Sequence, residues 1–177
     1  IAMYDPSQDY SPHWKDRPCN THIYFRVVNG KLDMTVCNRS NDVVWGMCGA
    51  NAVHMTYLQE LVASGIRRPV GRYHVMTNNL HIYEHHWGYL DSPATYDEYA
   101  RGQIAPHPLL GESETDVWEF LEECRVFLIH QDDVHYSSSW IRNVVIPMYQ
   151  HYMCRLNGDY DTYDITETRA TDWQLAE

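Results

Sequence analysis

The dipeptide Asn29-Gly30, flanked on both sides by alternating apolar and polar residues, constrains this chain more than any other feature. A two-residue loop with positive φ at both positions matches the right-handed twist of paired antiparallel strands, and Asn-Gly adopts it at little cost. Upstream, Ile23, Phe25 and Val27 recur every second residue. Downstream, Leu32, Met34 and Val36 alternate with Asp33, Thr35 and Cys37. Period two puts each apolar set on one face of a sheet, so a β-hairpin is predicted over 21–38. From Asn51 the period lengthens. Val53, Tyr57, Leu58, Leu61 and Val62 share a helical face, and Gly65 follows as a stop, which predicts a helix over 51–64. Residues 70–77 read as another strand. The expected fold class is α/β (α+β), a sheet carrying helices on one face.

The flanking segments are less regular. Residues 1–18, rich in Pro, Asp, Tyr and Ser, read as an irregular lead-in, and 39–50, with two Gly, as a loop or short helical turn. Residues 81–90 read as the start of a helix capped by Asn78 or Asn79. An extended, Pro-containing connection is expected over 91–113. Helices are expected over 116–129 and 137–156, the latter with Pro147 as a kink or boundary. A polar turn over 158–164 and a last helix over 166–177 complete the reading.

Composition bounds the function. The 177 residues carry a net charge of −11, which excludes a surface that coats nucleic acid. A few focused Arg still suffice for one small phosphorylated ligand. No run approaches the ~18 apolar residues of a membrane span. The five Cys are odd in number and none has CxxC spacing. A disulfide framework or zinc ribbon is therefore not expected, and a reduced, cytoplasmic setting is. The chain opens Ile1-Ala2-Met3 and stops within a helical pattern at Glu177. It reads as one domain, 1–177, forming the C-terminal portion of a longer chain.

Four short segments hold chemistry. Pro18-Cys19 places a thiol at the mouth of the first strand, where a thiolate is a nucleophile; a lone Cys is more often a small buried hydrophobe. Arg39-Ser40-Asn41-Asp42 offers a guanidinium fork and a hydroxyl suited to phosphate, or simply a solvated hairpin end. Gly46 to Asn51 offers close backbone approach and a carboxamide, or a helix cap. His81-Ile82-Tyr83 precedes Glu84-His85-His86. On a helix, His81 and His85 would share a face as a zinc pair, but spacing marks no third ligand and no metal is expected.

In order and spacing these segments resemble the thymidylate synthase family, over about residues 17–85. That family has a Pro-Cys nucleophile, then Arg-Ser-x-Asp, a Gly-containing loop with Asn leading into a helix, and a His-x-Tyr pair. The resemblance implies a mixed sheet with helices on one face and the other face in a homodimer interface. It implies that Cys19 adds to C6 of a pyrimidine nucleotide, that Arg39 and Ser40 hold the phosphate, and that His81 and Tyr83 bind the ribose hydroxyl. Asn51 would read the base edge, while Asp42 and Gly46 would lie at the site of 5,10-methylenetetrahydrofolate, the one-carbon co-substrate, with Asp42 also near the reacting base.

Departures are equally informative. Asn20 stands where the synthases usually have His, and an ungapped alignment puts Ala50 where the base-reading Asn belongs. The 91–177 tail is longer and more helical than the synthase tail, and the family's upstream portion, over a hundred residues, does not precede Cys19. The family holds reductive methylases and hydroxymethylases, the latter often of phage origin. Asp16, in the charged run before Pro18, suits activation of a water that attacks the exocyclic methylene, or is part of a solvated loop. The reading leans to hydroxymethylation of dUMP. It leaves open thymidylate synthesis, a dCMP or CMP substrate, and a nucleotide-binding or interaction module without turnover.

Overall fold

The computed structural model describes residues 1–3, 5–9, 18–91, 106–110, 116–131 and 134–158. The chain divides into two compact units, residues 1–93 and 94–177.

The first unit is built on the predicted hairpin. Strand β1 (Asn20–Val28) pairs antiparallel with β2 (Lys31–Asn38). Asn29 and Gly30 have φ of 50° and 80°, the two positive values that a tight hairpin turn requires. Strand β4 (Val70–Thr77) pairs parallel with β2, giving the order β1-β2-β4. Parallel pairing needs a crossover, and helix α2 (Ala50–Gly65) lies within it. Short strands β3 (Asn41–Asp42) and β5 (Leu80–His81) extend β2 and β4 as a second parallel pair.

The alternation sorts side chains as expected. Leu32, Met34 and Val36 are buried on the α2 side, where Ile23, Met34, Val36 and Met55 form the core with Phe25, Leu58 and Tyr73 against it. Burial raises the pKa of Tyr73. The opposite face carries exposed Tyr24, Arg26, Arg72, His74 and Met76. Gln59, 1% exposed, is the one polar side chain α2 drives into this core. Its Nε2 donates to Leu32 O at 2.8 Å and Arg72 O at 3.1 Å, at the irregularity in the β2–β4 ladder. Arg72 N donates to Asp33 Oδ1 at 2.7 Å across the same interruption.

Three expectations change. Residues 1–3 are not irregular: Met3 N donates to Thr21 O and Ile23 N to Ile1 O, adding a short edge to β1. A single helical turn, α1 (Pro6–Asp9), follows. Residues 81–90 form no α-helix. His81 ends β5 and a 3₁₀ helix spans Glu84–Asp91, so His81 and His85 do not share a helical face. Among the described residues, no group of three or more His, Cys, Asp or Glu is placed to hold a metal.

The second unit contains α3 (Val117–His130) and α4 (Ile146–Leu156). Phe120 of α3 is buried, whereas Leu121 and Leu128 are exposed. Glu123 accepts from Ser137 N at 2.6 Å and Ser138 N at 2.8 Å, tying α3 to the segment before α4. A π-helical turn, Ile141–Val145, runs directly into α4. Pro147 has no N–H for the usual bond to the carbonyl four residues back, and the wider turn falls immediately before it. Most of the 91–113 connection, and all of the expected 166–177 helix, lie outside the described residues. No helix among the described residues is long and apolar enough to cross a membrane.

Candidate active site

The four segments converge at one end of the three-stranded sheet. Cys19 is exposed, one residue before β1. Arg39, just past the end of β2, holds it from the neighbouring strand. Arg39 N donates to Cys19 O at 3.0 Å and Arg39 Nε donates to Pro18 O at 3.0 Å. The guanidinium is thus fixed beside the thiol-bearing turn by a contact between residues 21 apart in sequence.

Next to Arg39, the β3–β5 pair assembles the predicted hydroxyl, imidazole and carboxylate. Ser40 Oγ lies 3.4 Å from His81 Nδ1, and Asn79 Nδ2 approaches the same hydroxyl at 3.5 Å. Asp42 pairs with His81 in the ladder. Tyr83 meets His81 edge-on, ring centroids 5.2 Å apart, and is itself exposed. Asp42 caps the π-helical turn Val43–Met47, its Oδ1 accepting from Trp45 N at 2.6 Å. Its Oδ2 is buried and has no hydrogen-bond partner.

Asn51 stands in the first turn of α2, one residue after its start at Ala50; Gly49 takes the N-cap place, so Asn51 is not the helix cap, and its Nδ2 donates to Asn41 Oδ1 at 3.2 Å. Asn41 is 3% exposed, and Gly46 packs directly against its carboxamide. A Cβ at Gly46 would overlap Asn41 Oδ1. The glycine is therefore needed for the Asn41–Asn51 pair, a local packing reason distinct from the ligand approach expected from sequence. Asp16 lies outside the described residues.

The sequence assigned no role to Asn20, Asn38 or Asn41. Asn38 carried a signal. It continues the inward phase of Leu32, Met34 and Val36, so a polar residue there breaks the alternation on the buried side. Asn41 carried none, because its burial depends on the π-helical turn folding over it.

A thiol, a guanidinium, a Ser–His pair and an Asp gathered at one sheet end in this chain order match the family pattern. The thymidylate synthase family model matches residues 2–115. The chain belongs to the thymidylate synthase family. It is 36% identical over 194 residues to the deoxyuridylate hydroxymethyltransferase of Pseudomonas phage M6, covering 99% of this chain and 54% of that protein. It is 45% identical over 88 residues to the deoxyuridylate hydroxymethyltransferase of Bacillus phage SP01, covering 49% of this chain and 23% of that one. This thymidylate synthase family member thus spans about half the length of the M6 relative. Thermostable thymidylate synthase A from Bacillus subtilis shares the fold, with a TM-score of 0.53 at 22% identity over 67% of this chain and 40% of that one.

Proposed function

We propose that this chain takes part in one-carbon transfer to C5 of dUMP through a Cys19 adduct at C6, yielding 5-hydroxymethyl-dUMP. The observation that carries this reading is the clamp of Arg39 on the Pro18 and Cys19 carbonyls, which holds a guanidinium on the turn that bears the exposed Cys19 thiol. The phage relatives named deoxyuridylate hydroxymethyltransferases support the uracil nucleotide as substrate.

The roles follow from the residue types. Arg39 and Ser40 take the phosphate oxygens. His81 and Tyr83 hold the ribose hydroxyl, with Ser40 fixing the imidazole from its other side. Thiolate addition at C6 turns C5 into a carbon nucleophile. Methylenetetrahydrofolate supplies the electrophilic one-carbon unit when bound. The unpartnered, buried Asp42 Oδ2 fits an N–H donor of such a ring system, so Asp42 is the residue that would hold it, beside the Gly46 turn. Asn51, its Nδ2 engaged by Asn41, presents its carboxamide oxygen to the base. Asp16 activates the water that completes hydroxymethylation. Two copies associate through the exposed β1-β2-β4 face bearing Tyr24 and Met76. The chain works as the C-terminal portion of a longer domain, with 91–177 as its specialised helical tail.

The test is mass spectrometry of the nucleotide after incubation of the full gene product with dUMP and methylenetetrahydrofolate. A gain of about 30 Da marks hydroxymethylation, and about 14 Da marks thymidylate synthesis instead. An unchanged nucleotide refutes both.

A further inference from the structure

One rung of the sheet beside Cys19 holds polar atoms that nothing in the fold uses. The β1–β2 register shifts between Asn20 and His22, so that Asn20, not Thr21, stands across from Asn38. Thr21 is the residue in excess, and its Oγ1 donates to Cys37 O at 3.0 Å. A bulge of this kind re-aims the residues that flank it. On the other side of β2, Asn38 stands across from Thr77 of β4. Directly opposed residues project to the same face of a sheet. Asn20 Oδ1, Asn38 Oδ1 and Thr77 Oγ1 are all buried and have no hydrogen-bond partner. Asn38 is only 5% exposed. Buried polar atoms left unmatched weaken a fold, and three along one rung, one residue from an exposed thiol, are what the polar edge of a bound ligand would engage.

We propose that Asn20 and Asn38 read the edge of the pyrimidine held at Cys19, with Thr77 completing the wall. The proposal rests on the pyrimidine-nucleotide reading above and adds to it the residues that choose the base. The edge of uracil presents an N3–H donor beside the O4 acceptor, and a carboxamide presents the complement of both. Asn51 gives one of its two amide protons to Asn41, which leaves it one N–H and its oxygen for a ligand. The Asn20 or Asn38 amide adds a further donor to O4, which has two lone pairs, and one of their oxygens accepts from N3–H.

Asn38→Leu, Asn38→Asp and Asn20→Ala in the full gene product test this, with dUMP and dCMP as probes and methylenetetrahydrofolate present. Removing an unsatisfied buried amide leaves the melting temperature of Asn38→Leu unchanged or raised, while its kcat/KM for dUMP falls roughly 100-fold, and that of Asn20→Ala about tenfold. A carboxylate accepts from cytosine N4 and cannot donate to O4. Asn38→Asp therefore shifts the dCMP-to-dUMP ratio of kcat/KM upward by about tenfold. A lowered melting temperature with kcat/KM within about threefold of wild type in Asn38→Leu makes the rung structural and overturns the proposal. So does an unchanged base ratio in Asn38→Asp. A wild-type protein that turns over neither nucleotide overturns the proposed function itself, a result separable from either of these.

Discussion

Asn41 shows how single residues shape this site. It is buried, accepts from Asn51, and leaves no room for a side chain at Gly46. Gly46→Ala forces a Cβ into the Asn41 carboxamide, and overpacking of this kind costs about 1–3 kcal/mol. Thermal or urea unfolding of the variant checks the value, and an unchanged midpoint contradicts it. The cysteines sort by environment. Burial, and next the Glu123 carboxylate, raise the pKa of the Cys124 thiol, whereas Cys19 and Cys48 are exposed. At pH 8, iodoacetamide followed by peptide mapping is expected to modify Cys19 and Cys48 roughly tenfold faster than Cys124. The reverse order contradicts the placement of Cys19 at an open strand mouth. Much at this scale was legible. Cys19, Arg39, Ser40, Asp42, His81 and Tyr83 were marked by their order, and the structure brings Arg39 to Cys19 and Ser40 to His81. The engagement of Asn51 by Asn41 was not legible, because it depends on a tertiary contact across the Val43–Met47 turn.

Elements differ in how openly their sequences declare them. The hairpin was legible because Asn29-Gly30 and the period-two flanks agree, and α2 because Gly65 closes a helical pattern. The Val43–Met47 and Ile141–Val145 π-helical turns were not, since one wide turn is too short to register as a period. Asp42 holds the first of these as its cap. Asp42→Ala removes the acceptor for Trp45 N and is expected to cost about 1 kcal/mol. Faster amide exchange at Trp45 is the local readout, and unchanged exchange contradicts the cap. Gln59 staples the interrupted β2–β4 ladder from within the core. Gln59→Leu leaves the Leu32 and Arg72 carbonyls without that donor, at a cost of about 1–3 kcal/mol by denaturant unfolding.

For the whole molecule, a net charge of −11 is compatible with the proposed anionic ligand because the cation is local. Arg39 is held at the site by its own strand end and by Pro18 O. The exposed sheet face offers Tyr24 at 57% and Met76 at 62% exposure on either side of β2. If this face joins two copies, Tyr24→Glu with Met76→Glu in the full gene product gives a monomer by light scattering; a retained dimer contradicts it. The proposed function turns on addition of Cys19 to the pyrimidine ring. Such addition makes C5 carbanionic, so its hydrogen exchanges with solvent. Proton NMR of dUMP in D2O with the full gene product measures this directly. Loss of the H5 resonance is expected with wild type and its persistence with Cys19→Ser. Exchange that continues undiminished in Cys19→Ser would contradict it.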